Sequence, residues 1–276
     1  MLSGARHAVV AAEIRDYFVR EPVLELVPRP RLSLIIPAFN EQSRIERTLA
    51  DSWDYLTAQP YSFEIILSDD GSTDRTLAIG QSFEAAHENV CVLSITHGGK
   101  AAAIRAGMQA ARGEIVVFTD ADLATPISYL GDFMAAIERG ADIVIGSREG
   151  AGANRVGEPI YRHLMGRAFN RLVQTLMLPG IDDTQCGFKA FTRFASQEIT
   201  RRAKLYADHE VITGARVTAF DVEMLVIARK LGLKIVEIPV VWTYGTQSKV
   251  NPVRDTLINL RDILTIKFNA VRNAYD

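Results

Sequence analysis

Two carboxylates one residue apart, Asp120 and Asp122, stand directly behind the apolar run Ile115-Val116-Val117-Phe118 and shortly ahead of Pro126. Held where a buried strand ends, such a pair offers hard oxygen ligands to a divalent cation, Mg2+ or Mn2+, and leaves room beyond the cation for a diphosphate. The triplet with Ala121 recurs by chance on the order of once in a chain of this size, so its meaning comes from its surroundings. Three further polar clusters share its setting. Asp69-Asp70-Gly71-Ser72-Thr73-Asp74 follows Ile65-Ile66-Leu67. Its Gly-Ser-Thr part supplies a turn and a helix cap, while an acid at the strand end suits the imide N–H of uracil or the N1–H of guanine. Asn40 and Glu41, behind Pro37-Ala38-Phe39, read either as capping residues or as ribose and base ligands. His97-Gly98-Gly99-Lys100 brings glycine amides and an ammonium to a position from which they could face phosphate. Neither a P-loop nor a G-x-G-x-x-G dinucleotide fingerprint occurs.

The elements that must carry these clusters are legible as alternating patterns. Leu32 to Ile36, Phe63 to Leu67, Val90 to Ile95, Ile115 to Thr119 and Ile143 to Gly146 read as strands. Arg44 to Ala58, Asp74 to Glu88, Ala101 to Ala111 and Ile127 to Arg139 read as helices between them. Such alternation predicts an α/β fold with a mostly parallel sheet flanked by helices, and in such sheets the ligand site lies beyond the carboxyl ends of the strands. All four clusters should therefore converge on one rim. The first thirty residues, broken by Pro22, Pro28 and Pro30, read as a short helix and an extended lead-in. Beyond Gly150 the pattern predicts a long helix from Ile160 to Leu178, another opening near Ala219, a strand from Lys234 to Val241 and a final helix from about Val253.

Composition bounds the partners. The chain has 276 residues, 48% apolar and 23% charged, which suffices for one large domain or two small ones. A net charge of −2 gives no basic surface for nucleic acid, which is excluded as a partner. Cys91 and Cys186 are far apart in sequence and one of them sits in an apolar strand-like run, so a buried thiol rather than a disulfide is expected, consistent with a reducing, cytoplasmic setting. No stretch approaches the ~18–20 apolar residues needed to cross a bilayer, so any membrane contact is expected to be peripheral, on the cytoplasmic face.

In their order and spacing, Pro37-Ala38-Phe39-Asn40-Glu41, Asp69 to Asp74 and Asp120-Ala121-Asp122 resemble the family 2 glycosyltransferases of GT-A fold. Further motifs narrow the resemblance to dolichyl-phosphate glucosyltransferases and their polyprenyl-phosphate relatives. These are Asp120 to Pro126, Gly146-Ser147-Arg148, Asp183 to Lys189, Phe220-Asp221-Val222-Glu223 and Ser248-Lys249-Val250, and the likeness spans about Arg31 to Asn269. The resemblance implies a GT-A domain over 31–250, with a nucleotide-binding half at 31–150 and an acceptor-binding half at 151–250, before a C-terminal amphipathic helix at 251–276. It implies nucleotide contacts from Pro37, Ala38, Asn40, Glu41, Asp69, Asp70, Lys100, Asp120 and Ala121, with the base on Asp70. Asp120 and Asp122 would hold the metal, and Arg148 and Lys249 would neutralise phosphate. The catalytic set is then Asp122, Arg148, Asp183, Asp221 and Lys249. Where related mannosyltransferases often carry a Gln ligand, this chain has Ala124, so water or phosphate oxygens must complete the coordination shell.

The activity implied is metal-dependent, inverting transfer of a hexose, glucose from UDP-glucose, onto dolichyl or another polyprenyl phosphate. A GDP-mannose-dependent mannosyltransferase and a family 2 enzyme with a soluble acceptor are the alternatives. A sugar-1-phosphate nucleotidyltransferase would want a glycine-rich loop where Pro37-Ala38-Phe39-Asn40 stands, and a non-catalytic nucleotide-sugar binder would have no use for the metal pair. A phosphate acceptor is already ionised at neutral pH and needs no strong base; if one is needed, Asp182, Asp183 and Asp221 are the candidates. Leu164, Ala168, Leu172 and Leu176 line one side of the Ile160 to Leu178 helix, with Arg162, Arg167 and Arg171 beside them. This pattern fits either a membrane-interface helix or a core-packing one. The final helix, with Val253, Leu257, Leu260, Leu264 and Phe268 in register, has the same ambiguity and could also form a homodimer contact.

Overall fold

The computed structural model describes residues 28–206, 218–245 and 252–276. Its centre is a seven-stranded sheet in the order β3-β2-β1-β4-β7-β5-β8. The strands are β1 (Leu32–Ala38), β2 (Phe63–Asp69), β3 (Val90–Ser94), β4 (Ile115–Phe118), β5 (Ile143–Ser147), β7 (Lys189–Thr192) and β8 (Ile235–Pro239). A separate two-stranded ribbon pairs β6 (Asn154–Val156) with β9 (Val241–Thr243). Strands from both halves of the chain share the one large sheet.

The β1 sequence LSLIIPA is buried at all seven positions because helices cover both faces of the sheet. Leu32, Leu34 and Ile36 join one core cluster and Ile35 the other, as a period-two backbone requires. Burying each such side chain contributes about 1.5–3 kcal/mol. The helices are α1 (Ile45–Thr57), α2 (Thr76–Ala86), α3 (Lys100–Ala110), α4 (Leu130–Glu138), α5 (Ile160–Leu176), α6 (Arg193–Arg202), α7 (Phe220–Lys230) and α8 (Pro252–Val271). In α1, Ile45, Leu49, Ser52 and Leu56 fall on one stripe and are buried, which makes the helix amphipathic toward the sheet.

One strand departs from the parallel pattern. β7 runs antiparallel between β4 and β5, with Lys189 opposite both Phe118 and Ile145. The apolar runs do not announce it, because four residues opening on a lysine give no clear strand signal. Its orientation matters for the site: the beginning of β7, not its end, lies at the rim where β4 delivers Asp120.

The long helix and the final helix both turn apolar side chains outward. Of the apolar stripe of α5, read in sequence as facing either a membrane or the core, Leu164, Ala168 and Leu172 are exposed and Leu176 is half-buried, while Asn170 and Val173 face inward. Ile160 is 79% exposed, and on α8 Leu257, Leu260, Leu264, Phe268 and Val271 are exposed. Among the described residues no helix is long and apolar enough to cross a membrane. Cys91 and Cys186 are both free thiols; Cys186 is buried, whereas Cys91, on the strand-like run where a buried thiol is expected, is exposed because β3 is the edge of the sheet.

Candidate active site

The paired acids sit in a loop that is held from three sides. The Leu123 amide donates to the Asp120 carbonyl at 3.0 Å, and Leu123 itself adopts φ 47°, a left-handed conformation that a branched residue keeps only when its surroundings enforce it. Thr48 Oγ1 of α1 donates to the Ala121 carbonyl at 2.6 Å, and the Thr243 amide of β9 donates to the Ala124 carbonyl at 2.9 Å. Asp122 Oδ1 accepts from the Ala124 amide at 3.1 Å.

Both carboxylates remain reachable, with Asp120 30% and Asp122 32% exposed at the side chain. Each faces a cation: the Lys100 ammonium rests on Asp120 Oδ1, and Arg44 Nη1 stands 3.7 Å from Asp122 Oδ2. Burial, followed by the nearby charge of Asp120, raises the Asp122 carboxyl above its usual range. A divalent cation between the two acids would relieve that repulsion. For Lys100, burial alone would lower the ammonium, but Asp120, Asp221 and Asp122 outweigh it and hold the group charged above its usual range. The pair fits a metal that takes its remaining ligands from water and diphosphate. Ala124 brings no side-chain oxygen, and among the described residues no three His, Cys, Asp or Glu side chains gather as a ready-made cage.

Asp70 is placed differently from a free base-binding acid. Its Oδ1 accepts from the Gly98 amide at 2.8 Å, its Oδ2 from the Gly99 amide at 2.9 Å, and His97 Nδ1 lies 2.8 Å from Oδ2. The glycine amides expected to face phosphate are thus taken by a carboxylate just ahead of α3, whose N-cap Gly99 has no side chain to cap it. Burial raises the Asp70 carboxyl, against the opposing Gly98 amide and His97. Its neighbour Asp69 is fully buried; Oδ2 accepts from the Ser72 amide at 3.1 Å, and Oδ1 has no hydrogen-bond partner.

Asn40, at φ 54°, accepts from the Thr73 amide at 2.8 Å and donates its own amide to Ser72 Oγ at 2.9 Å, so it locks the β1 and β2 loops together. The Glu41 amide donates to Thr76 Oγ1 at 2.7 Å, and its carboxylate lies 3.0 Å from Arg44 Nε. Arg44 therefore links the Asn40-Glu41 cluster to Asp122. Pro37 and Ala38 end β1 beneath this loop. Arg44 carried no signal in sequence, standing merely at a helix start.

On the far side, Asp183 is buried and accepts from Arg148 Nε at 2.6 Å and Nη2 at 2.9 Å, as well as from the Arg148 and Gln185 amides. Burial would raise this carboxyl, but Arg148 and the amides outweigh it and hold it well below the usual carboxylate range. Glu237 fixes the same turn by accepting from the Asp182 and Asp183 amides at 2.9 and 3.0 Å. The Arg148 guanidinium also lies 5.3 Å from the centre of the Trp242 ring. Asp221, at the start of α7, accepts from the fully buried Lys189 Nζ at 2.6 Å. Lys189 had no role in the sequence reading, although a lysine opening an apolar segment was the available clue. Lys249 lies outside the described residues.

A helix-flanked, mostly parallel sheet with paired acids on its rim defines a GT-A type glycosyltransferase fold. Solved structures agree. A glucosyl-3-phosphoglycerate synthase from Mycobacterium tuberculosis in complex with UDP superposes with a TM-score of 0.58 at 20% identity, covering 87% of this chain and 80% of that one. A mannosyltransferase from Pyrobaculum calidifontis in complex with GDP-Man and Mn2+ reaches 0.56 at 20% identity, covering 96% and 71%.

The chain belongs to glycosyl transferase family 2, whose model matches residues 33–200, and it is a glycosyltransferase. The dolichyl-phosphate beta-glucosyltransferase of Dictyostelium discoideum is 35% identical over 86% of this chain and 74% of its own length. The human dolichyl-phosphate beta-glucosyltransferase is 31% identical over 90% and 78%.

Proposed function

We propose that this glycosyltransferase moves glucose from UDP-glucose onto dolichyl or another polyprenyl phosphate, with inversion at the anomeric carbon. The observation that carries the reading is the state of the three acids offered as bases: Asp183 is bound by Arg148 and Asp221 by Lys189, while Asp182 is exposed and, among the described residues, accepts only from Gln174 Nε2 at 3.0 Å. A hydroxyl acceptor needs a free base, whereas a phosphate arrives ionised. The relatives named for dolichyl phosphate and glucose point the same way.

Asp120 and Asp122 would hold Mg2+ or Mn2+, which supplies charge stabilisation to the departing diphosphate. Lys100, half-exposed beside Asp120, adds a second positive charge on that side and is free to turn from the carboxylate to a phosphate oxygen. Asp70, held by the Gly98 and Gly99 amides and by His97, would shape the base end of the donor site through the loop it orders rather than through a free carboxylate. Arg148 is held rigid by Asp183 and Trp242, and Lys249 would join it in neutralising acceptor phosphate. The exposed apolar faces of α5 and α8, the former bordered by Arg167 and Arg171, suit a peripheral seat on an anionic bilayer, where the lipid acceptor resides.

The test is transfer of labelled sugar from UDP-glucose and, separately, GDP-mannose to a short polyprenyl phosphate and to a soluble phosphorylated acceptor. Lipid labelling from UDP-glucose alone is expected. Labelling of the soluble acceptor only would refute the lipid acceptor, and labelling from GDP-mannose only would refute the donor.

A further inference from the structure

The backbone at Gly187 runs so close behind Asp120 that a β-carbon there would stand 2.0 Å from Oδ2, 2.4 Å from Cγ and 2.7 Å from Oδ1. No pair of atoms tolerates such contacts, so the Asp120 carboxylate occupies the volume a side chain would fill. Gly187 does not have a positive φ, so close approach rather than backbone freedom is what requires glycine here.

The wall behind Asp120 cannot retreat. Cys186 is buried and its carbonyl accepts from Lys189 Nζ at 2.5 Å; Phe188 is buried edge-on against Phe133, with ring centres 4.9 Å apart; Lys189 is registered opposite Phe118 in the sheet. The Asp120 side chain, by contrast, is 30% exposed, is held on its open side by the Lys100 ammonium, and can change rotamer. Added bulk at 187 would therefore move the carboxylate and leave the fold in place.

We propose that Gly187 is a positioning residue for Asp120: its bare α-carbon lets the carboxylate stand against the approach to β7, where it can share a divalent cation with Asp122. The inference rests on the reading of Asp120 as a metal ligand. It assigns a task to the Cys186-Gly187-Phe188-Lys189 segment that leads into β7.

The experiment is Mn2+ binding to the full chain in the presence of UDP, followed by electron paramagnetic resonance of free Mn2+, so that no turnover is involved. Gly187→Ala should weaken Mn2+ binding about 10- to 100-fold, the range seen when a ligand loses its orienting neighbour. Its melting temperature and its metal-free UDP binding should match wild type. In an Asp120→Ala background, Gly187→Ala should have no further effect on Mn2+, because the group it displaces is gone. Wild-type affinity in Gly187→Ala, or an equal loss in the Asp120→Ala background, overturns the proposal. If Gly187→Ala proves unstable, recovery on adding Asp120→Ala supports the close contact, and no recovery overturns it. Absence of Mn2+ binding by the wild-type protein would remove the metal reading and this inference with it, an outcome distinct from tight wild-type binding that Gly187→Ala leaves unchanged.

Discussion

Asp183 takes Nε and Nη2 of Arg148 on its two oxygens, at 2.6 and 2.9 Å, in a position with no exposed surface. Removing one partner of such a pair leaves the other as an uncompensated buried charge. Asp183→Asn should therefore destabilise the fold by about 3–5 kcal/mol in urea unfolding. Arg148→Lys should restore little, since an ammonium cannot make the two-pronged contact. The pH dependence has a definite sign. Because the folded carboxyl lies below its unfolded value of about 3.9, its stabilisation is complete above that value and is lost only as pH falls through the folded one. The stability gap between wild type and Asp183→Asn should stay constant between roughly pH 8 and pH 5 and narrow only in stronger acid; a gap closing near pH 6 would contradict the pairing.

Lys189 and Asp221 form a second such pair, with Lys189 wholly enclosed and Asp221 6% exposed. Lys189→Met alone should cost about 3–5 kcal/mol, and the double variant Lys189→Met with Asp221→Leu should regain most of it. Unfolding curves of the two variants and wild type check this. A double variant no better than the single would mean that the ion pair is not the source of the loss.

Lys100 is exposed enough that its ion pair with Asp120 adds little to stability. Its expected contribution is to the leaving diphosphate. Lys100→Met should lower kcat about 100-fold while leaving the melting temperature unchanged. Steady-state kinetics with UDP-glucose varied at saturating metal would show it, and an unaltered kcat would remove Lys100 from the reaction.

Leu164 on α5 and Leu264 on α8 are both more than half exposed, so neither holds the core together. Leu164→Glu and Leu264→Glu should each change stability by less than about 0.5 kcal/mol. Their combination should reduce cosedimentation with anionic vesicles several-fold. Undiminished vesicle binding, or a shift in oligomeric state instead, would show that these faces serve something other than a bilayer.

Much of the frame was legible because parallel α/β units announce themselves through apolar runs and strand-end polar clusters. β1, β2 and β4 stand where the pattern predicts, and the Asn40, Asp70, Lys100 and Asp120 clusters all follow their strands. What stayed hidden depends on contacts across long stretches of chain. The commitment of Asp70 to Gly98 and Gly99, of Arg44 to Asp122, and of Asp120 to the bare backbone of Gly187 has no local signature. Asp183 and Asp221 looked like available bases because a sequence names acids without naming their partners. The outward faces of α5 and α8 were ambiguous for the same reason: an amphipathic stripe does not say what lies against it.

The central claim, metal-dependent glucosyl transfer at Asp120 and Asp122, is tested most directly by titrating Mn2+ into the UDP-glucose and polyprenyl-phosphate reaction with wild type and Asp122→Ala. The account predicts metal-dependent product from wild type and at least a 100-fold loss in Asp122→Ala, of the order expected when a main source of transition-state charge stabilisation is removed, with its melting temperature preserved. Near-normal, metal-dependent turnover by Asp122→Ala would contradict it.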